Sequence, residues 1–358
     1  MNRLIRMASV AALVGITSLG CGEVPDEITS TQSALGSFGT WKTMTGKSFL
    51  DTPALANGST LTAYGWDGSQ IWVSNQNASG QWTGNWTQLS NPGGAFNTRA
   101  SAAAFDVPPG TSLFGRFAIV ARRSDTKYYL TIRDQTGTIV DQQWTAVGTG
   151  LFKSAPSLIM IPTTSRNAPV GTLVLAGQGT DDRVWIATNT LTRGPGGNYI
   201  YNHANWTGFN FHPEVTRFFD NPPAMTFACP VNTAQPTMYI GSKDAVGRFF
   251  TTKFNGSSWS NWTEVHNGLF AAGPALATGC GDSFNETVIY GRGTDSNIYW
   301  STEPQGGPQV FTPISAPNIF VGAPMAVGQR KFTTHGASNV AALRNTDSIG
   351  LSNQALSP

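Results

Sequence analysis

The side chains best placed to do chemistry in this chain are carboxylates and indoles that return at intervals. An Asp recurs at Asp67, Asp125, Asp181, Asp244, Asp295 and Asp347, each in a short polar stretch between two β-branched or aromatic runs. Carboxylates ringing one rim would bind cations or accept hydrogen bonds from sugar hydroxyls. The plainer alternative is that each Asp accepts hydrogen bonds from the N–H groups of its own turn. Recurrence in every unit, the most degenerate included, favours the turn-forming role.

Indoles raise the same choice. A Trp between polar neighbours recurs as Asn85-Trp86-Thr87, Gln143-Trp144-Thr145, Asn205-Trp206-Thr207 and Asn261-Trp262-Thr263, with Val310-Phe311-Thr312 and Thr40-Trp41-Lys42 as degenerate copies. An indole face suits the C–H-rich face of a pyranose. So regular a Trp is expected instead to wedge between neighbouring units, where it buries a large apolar area. The less regular indoles are the carbohydrate-binding candidates: Trp66, Trp72, Trp82, Trp185, Trp259 and Trp300.

Other chemistry is thinly supplied. His203, His212, His266 and His335 show no metal-ligand spacing, and no nucleophile elbow, zinc-protease helix or phosphate loop occurs. No catalytic residue, metal or cofactor is therefore assigned. A glycosidase needs two placed carboxylates, which two units could supply across a seam, so a sialidase-like hydrolase stays as the less favoured reading. Its Asp-box pattern, Ser-x-Asp-x-Gly-x-x-Trp, is absent. Cys229 and Cys280 each lie six residues after a Pro (Pro223, Pro274). Equivalent places in adjacent units suit a disulfide in an oxidising compartment, unless neighbouring inner strands stand too far apart to be bridged.

The elements that must position these groups are short strands. Only 12 % of residues are charged, while Gly (40), Phe (20) and Trp (11) abound, a composition of strands joined by tight turns rather than of disorder. A second anchor, a Phe four residues before Pro or Ala, recurs at Phe49/Pro53, Phe96/Ala100, Phe152/Pro156, Phe219/Pro223, Phe270/Pro274 and Phe320/Pro324. Each unit then reads strand A after the Phe, strand B, the Asp turn, strand C, and strand D at the Trp. Six such units of four antiparallel strands predict an all-β, six-bladed β-propeller over residues 38–358. The last unit lacks a D strand and the first residues supply a spare one at 38–44, so the N-terminal strand is expected to close the ring.

The segment before residue 38 reads as a leader. Arg3 and Arg6 precede an apolar run from Ala8 to Leu19 that ends at Gly20-Cys21, too short for a span of ~20 residues. Residues 1–20 thus read as a signal peptide. Ser18-Leu19-Gly20-Cys21 resembles the bacterial lipobox, with Ser18 where an aliphatic residue is usual; that resemblance implies lipidation of Cys21, the alternative being simple cleavage nearby. Residues 21–37 are then a polar tether. Losing Arg3 and Arg6 from 22 basic against 20 acidic residues leaves no net charge, which argues against nucleic acid and against adsorption to an anionic membrane. Membrane attachment is expected only through a lipid anchor, in an outer-membrane, cell-surface or secreted location. Self-association is left open.

Gly179-Thr180-Asp181-Asp182-Arg183-Val184-Trp185, Gly293-Thr294-Asp295-Ser296-Asn297-Ile298-Tyr299-Trp300, Ser154-Ala155-Pro156 and Ser260-Asn261-Trp262 resemble the repeat of bacterial PLL-like (Photorhabdus-type) propeller lectins. Cys21-Gly22 and Gln32-Ser33-Ala34-Leu35 are similar to leaders of myxobacterial exported proteins. The lectin resemblance implies fucose-type sugars bound between blades without catalysis, with glycans or glycoconjugates as partners. That family is usually seven-bladed, whereas this chain counts to six. An envelope protein-interaction scaffold is the alternative, and Tyr199, Tyr201 and Asn202 in a long C–D insertion would then be partner contacts.

Overall fold

A computed structural model describes residues 42–355, apart from 59, 78, 106–111, 141–142, 163–170, 196–197, 212–218, 229–236, 266–267, 281–284, 303–309, 315–319, 330–336 and 344–348. The leader, the tether, Cys21, Trp41, Cys229 and Asp347 lie outside the described residues, as does the side chain of Cys280, so the lipidation and disulfide expectations fall there too.

Strands are short and β-branched or aromatic, and turn residues separate them, as the pattern requires. The chain begins with β1 (Lys42–Met44). Blade 1 is β2 (Ala54–Asn57), β3 (Leu61–Trp66), β4 (Ile71–Asn75) and β5 (Thr87–Gln88); blade 2 is β6 (Ser101–Ala104), β7 (Arg116–Arg122), β8 (Tyr128–Asp134) and β9 (Thr145–Ala146). Blade 3 is β10 (Ser157–Pro162), β11 (Gly171–Gln178), β12 (Val184–Thr190) and, after the hairpin of β13 (Thr192–Arg193) and β14 (Tyr199–Ile200), β15 (Asn210–Phe211). Blade 4 is β16 (Ala224–Ala228), β17 (Thr237–Lys243), β18 (Phe249–Phe254) and β19 (Thr263–Glu264). Blade 5 is β20 (Ala275–Cys280), β21 (Asn285–Arg292), β22 (Ile298–Thr302) and β23 (Thr312–Pro313). Blade 6 is β24 (Met325–Gln329), β25 (Ala337–Leu343) and β26 (Ile349–Ala355), completed by β1.

Each sheet is antiparallel and ordered A–B–C–D. The A strands pack in a closed cycle, β2, β6, β10, β16, β20, β24 and back to β2. The ring is sealed by Lys42, Thr43 and Met44 pairing with Leu351, Gly350 and Ile349. The six blades and the N-terminal closure are those read from the repeats. Small residues on the A strands (Ala54, Ala56, Ser101, Ala103, Ala275, Ala277) let six strands approach the axis together, and all six are buried.

The core is divided among the seams between blades, and each seam is organised by the recurrent Phe. Its ring meets the D-strand aromatic of its own blade at nearly constant geometry: Phe49–Trp86 4.6 Å, Phe96–Trp144 4.5 Å, Phe219–Trp262 4.6 Å and Phe270–Phe311 4.6 Å between centroids, with ring planes 55–65° apart. On its other side the Phe packs on strand C of the preceding blade, stacking on Tyr128 (Phe152, 4.0 Å) and on Phe249 (Phe270, 3.9 Å). Strand B carries Gly where this wedge passes. A Cβ at Gly291 would lie 2.5 Å from both Phe249 and Phe270.

Blade 3 departs from the expected register. The partner of Phe152 is Phe209, at 4.7 Å, not Trp206. Strand D is β15, pairing Phe211 with Trp185, so the wedge two residues earlier is Phe209. Asn205-Trp206-Thr207 belongs to the C–D insertion, where His203–Asn205 forms a 3₁₀ turn capped by Asn202. That insertion is packed down: the Trp206 indole donates to the Tyr201 hydroxyl (3.0 Å), the Tyr201 hydroxyl and His203 Nδ1 are hydrogen-bonded (2.9 Å), and Tyr201 is buried. The Asn-Trp-Thr spelling is reproduced by local sequence, but the ladder with strand C decides which aromatic is the wedge.

Candidate functional site

The Asp turns were expected to cap themselves, and the five among the described residues do, from two different positions. Asp125, Asp181 and Asp295 sit third in the turn, whereas Asp67 and Asp244 open it, where Arg123, Gly179 and Gly293 stand in the other blades. Either position lets a carboxylate accept N–H groups two to four residues on. Asp67 Oδ1 takes the N–H groups of Ser69 (3.1 Å) and Gln70 (2.9 Å), and Asp244 Oδ1 takes those of Val246 (3.0 Å) and Arg248 (2.9 Å). Asp125 takes Lys127 N–H and Asp295 takes Asn297 N–H, both at 3.1 Å.

The second carboxylate function was not visible in the sequence: it clasps the aromatic at the second position of strand C. Trp72 Nε1 donates to Asp67 (2.7 Å), the Tyr129 hydroxyl to Asp125 (2.8 Å), Trp185 Nε1 to Asp181 (2.9 Å) and the Tyr299 hydroxyl to Asp295 (2.7 Å). In blade 4, where Phe250 has no donor, Arg248 Nε binds Asp244 at 2.8 Å. A cation joins each of four such pairs. Lys47 lies 3.7 Å from the Trp72 ring and 3.3 Å from Asp67, and Arg123 lies 4.0 Å from the Tyr129 ring. Arg183 stands 3.9 Å from Asp181, and Arg248 pairs with Asp244 at 2.7 Å while lying 5.4 Å from the Phe250 ring. In blade 5, Asn297 takes the cation's place, with Nδ2 2.8 Å from Asp295.

Electrostatics follow from these contacts. Burial alone would raise the Asp67 carboxyl, but the N–H groups of Gln70 and Ser69, the Trp72 indole and Lys47 outweigh it and hold it below the usual range. Asp244 and Asp295 are likewise lowered against their burial, by bonds centred on Arg248 and on Asn297 and Tyr299 respectively. Conversely, the Asp125 hydrogen bond, and then burial, push the Tyr129 hydroxyl up; Asp295 does the same to Tyr299. Asp67, Asp244 and Asp295 are thus held as anionic acceptors and the Tyr129 and Tyr299 hydroxyls as neutral donors, a set able to bind hydroxyl groups.

Of the six candidate indoles, Trp72 and Trp185 occupy this clasped position. In blade 5 the equivalent residue is Tyr299, the neighbour of Trp300; alternation turns Trp300 to the opposite face, against the core of the seam between blades 5 and 6. Trp82 and Trp259 lie in C–D hairpins, bridged to Gln76 and Phe254. Trp82 Nε1 is buried with no hydrogen-bond partner among the described residues, and Trp259 packs on Phe254 at 5.0 Å. Trp66 ends strand B and donates to the Phe96 carbonyl (3.0 Å) across the seam. Arg122 does the same to Phe152 (2.7 Å), and Gln178 to Phe219. Three unlike side chains share this stitch, so no sequence pattern announces it. Among the described residues no cluster of His, Cys, Asp and Glu could hold a metal.

The Phe-to-Pro connections run to the mouth of the axial channel, where a polar depression of about 340 Å³ is lined by Asp51, Trp66, Asn97, Thr98, Arg99, Lys153 and Asp220 among others. Asp51 and Arg99 pair across blades at 3.3 Å, Lys153 pairs with Asp182, and Lys243 with Asp220 at 3.1 Å. Blades 5 and 6 present only Ala271-Ala272-Gly273 and Val321-Gly322-Ala323 at the same place.

No protein-family model matches the sequence, and no curated protein does. Solved structures are similar in fold. AofleA from Arthrobotrys oligospora shares 13 % identity over 87 % of this chain and 84 % of its own, with a TM-score of 0.59. The Aleuria aurantia lectin in complex with Fucα1-6GlcNAc shares 13 % identity over 87 % of this chain and 97 % of its own, at a TM-score of 0.56. A further structure of that fungal lectin, described as a six-bladed β-propeller with a novel fucose recognition mode, covers 85 % of this chain and 92 % of its own at 12 % identity and a TM-score of 0.52. These likenesses concern the fold, a six-bladed propeller.

Proposed function

We propose that the protein is a non-catalytic, multivalent carbohydrate-binding propeller of the lectin type, exported and held at the cell surface through Cys21. The observation that carries the reading is the recurrent trio of carboxylate, ring and cation: Asp67/Trp72/Lys47, Asp125/Tyr129/Arg123, Asp181/Trp185/Arg183 and Asp244/Phe250/Arg248. A carboxylate and a cation fix the direction of neighbouring hydroxyls, and a ring edge or face covers the C–H surface of a pyranose. The same contacts lock the turns, so the scaffold and the site share residues. The rings pack in different seams, Trp72 with Phe49, Tyr129 with Phe96 and Trp185 with Phe152. Several weak sites on one rigid ring raise avidity without any single strong contact. The fold likeness to fucose-binding fungal lectins and the repeat resemblance to Photorhabdus-type lectins both favour deoxyhexose-bearing glycans as the ligand class.

The test is a glycan array on the purified protein, followed by Trp185→Ala and Tyr129→Ala. Binding to fucosylated glycans should fall a few-fold with either change and by more than about tenfold with both, as valency is lost. Silence across the array, with envelope proteins co-purifying instead, would sink the lectin reading in favour of a scaffold. Turnover of chromogenic glycosides would replace it with a hydrolase.

A further inference from the structure

We infer that the axial channel is a second binding site, separate from the seams, for a slim apolar molecule carrying a carboxylate head, with Arg99 as the residue that receives the head. The channel is a cavity of about 340 Å³, within the range of small-molecule sites, walled by the A strands of all six blades. Its wall mixes polar and apolar surface in similar measure, with Leu55, Leu158, Met225 and Leu276 among the lining side chains. Its polar side chains are largely satisfied by the protein: Ser101 Oγ accepts the N–H of Leu158 (2.9 Å), and Thr226 bonds Thr278 (3.1 Å).

Arg99 is the exception. It lines both the channel and the polar mouth, so it stands at their junction. It is only 7 % exposed, and its Nε is buried with no hydrogen-bond partner among the described residues. Among the described residues its guanidinium meets Asp51, through Nη1 at 3.3 and 3.4 Å. A buried donor left unmade is costly, and a guanidinium's planar fork matches a carboxylate in two parallel bonds. Charge points the same way: the charged residues lining the channel are Arg99 and Arg116, with no acid among the described residues that line it. Aliphatic side chains beside two guanidiniums, that of Arg99 only partly engaged by Asp51, suit an amphipathic anion better than a neutral lipid or a cation.

Octanoate is the probe, titrated calorimetrically into the purified full chain alongside octan-1-ol and acetate. Expected is saturable one-to-one binding of octanoate, with octan-1-ol and acetate each at least about tenfold weaker because each lacks one half of the recognition. Arg99→Met should weaken octanoate by at least about tenfold while leaving octan-1-ol unchanged. Should that variant not fold, Ala326→Phe narrows the channel, which Ala326 lines, leaves Arg99 in place, and should block octanoate. The inference is overturned by heat-silent mixing, by equal affinity for octanoate and octan-1-ol, or by octanoate binding that survives Ala326→Phe. Glycan binding, read in parallel on the same variants, should not change, so the two sites fail or stand independently.

Discussion

Thr126, Asp182 and Ser296 hold left-handed backbone, with φ of 64°, 66° and 67°, although none is Gly. The reason lies in the next blade. In this position the turn directs a carbonyl at the incoming Phe: Phe152 N–H donates to Thr126 (2.9 Å) and Phe320 N–H to Ser296 (3.0 Å), as Phe270 N–H does to Gly247 (2.8 Å), itself at φ 102°. The strain thus sustains a seam contact. Asp tolerates this region, whereas a β-branched Thr is penalised by roughly 1–3 kcal/mol. Gly at 126 removes that penalty but gives back about 0.5–1 kcal/mol of chain entropy. Thr126→Gly should therefore stabilise by about 1 kcal/mol, raising the melting temperature by a few degrees. Asp182→Gly should not, since Asp182 is at ease there and would lose its Lys153 partner. Equal shifts for the two in a thermal melt would show that the backbone is unstrained at Thr126.

The same logic of one position filled by unlike residues governs the elements. Strand D presents Trp86, Trp144, Phe209, Trp262 and Phe311 to the recurrent Phe at 4.5–4.7 Å. Since Phe already serves in blades 3 and 5, Trp262→Phe should cost under about 1.5 kcal/mol, as conservative core swaps do. Trp262→Ala, emptying a site only 4 % exposed, should cost about 3–5 kcal/mol; denaturant midpoints separate the two. The D-strand aromatics were legible because they recur, and so was the blade count. The exact wedge of blade 3 was not, because Trp206 and Phe209 are both aromatic and only pairing to Trp185 distinguishes them. The Asp turns were found, but their clasp on Trp72, Tyr129, Trp185 and Tyr299 spans four or five residues through space, and the cation that completes the trio comes from the end of the turn in blades 3 and 4 (Arg183, Arg248), from its start in blade 2 (Arg123) and from ahead of the recurrent Phe in blade 1 (Lys47). The Trp66, Arg122 and Gln178 stitch was hidden for a related reason: carbonyl acceptance asks only for a donor of the right reach.

At the scale of the whole molecule the ring has one vulnerable joint. Five blades are continuous in sequence, and the sixth takes its outer strand from Lys42–Met44. Closure therefore joins residues about three hundred positions apart, and it rests on three paired residues and on Met44, which is 2 % exposed. Without that strand, Ile349–Leu351 becomes an exposed edge able to pair with another chain. The seam between blades 6 and 1 would also lose Met44, which packs with Phe49, Leu55 and Ala63. Removing residues 1–44 should lower the melting temperature and produce concentration-dependent self-association, measured by calorimetry and by light scattering after gel filtration. Removing residues 1–37 should do neither, because it spares the strand. Met44→Ala, which keeps the backbone ladder but empties the pocket, should cost about 2–5 kcal/mol without promoting association. That contrast separates the two roles of the closing strand, filling the core and covering an edge. If the 1–44 deletion stayed monomeric and as stable as the 1–37 deletion, the ring would be held by its five continuous blades, and the terminal strand would be dispensable.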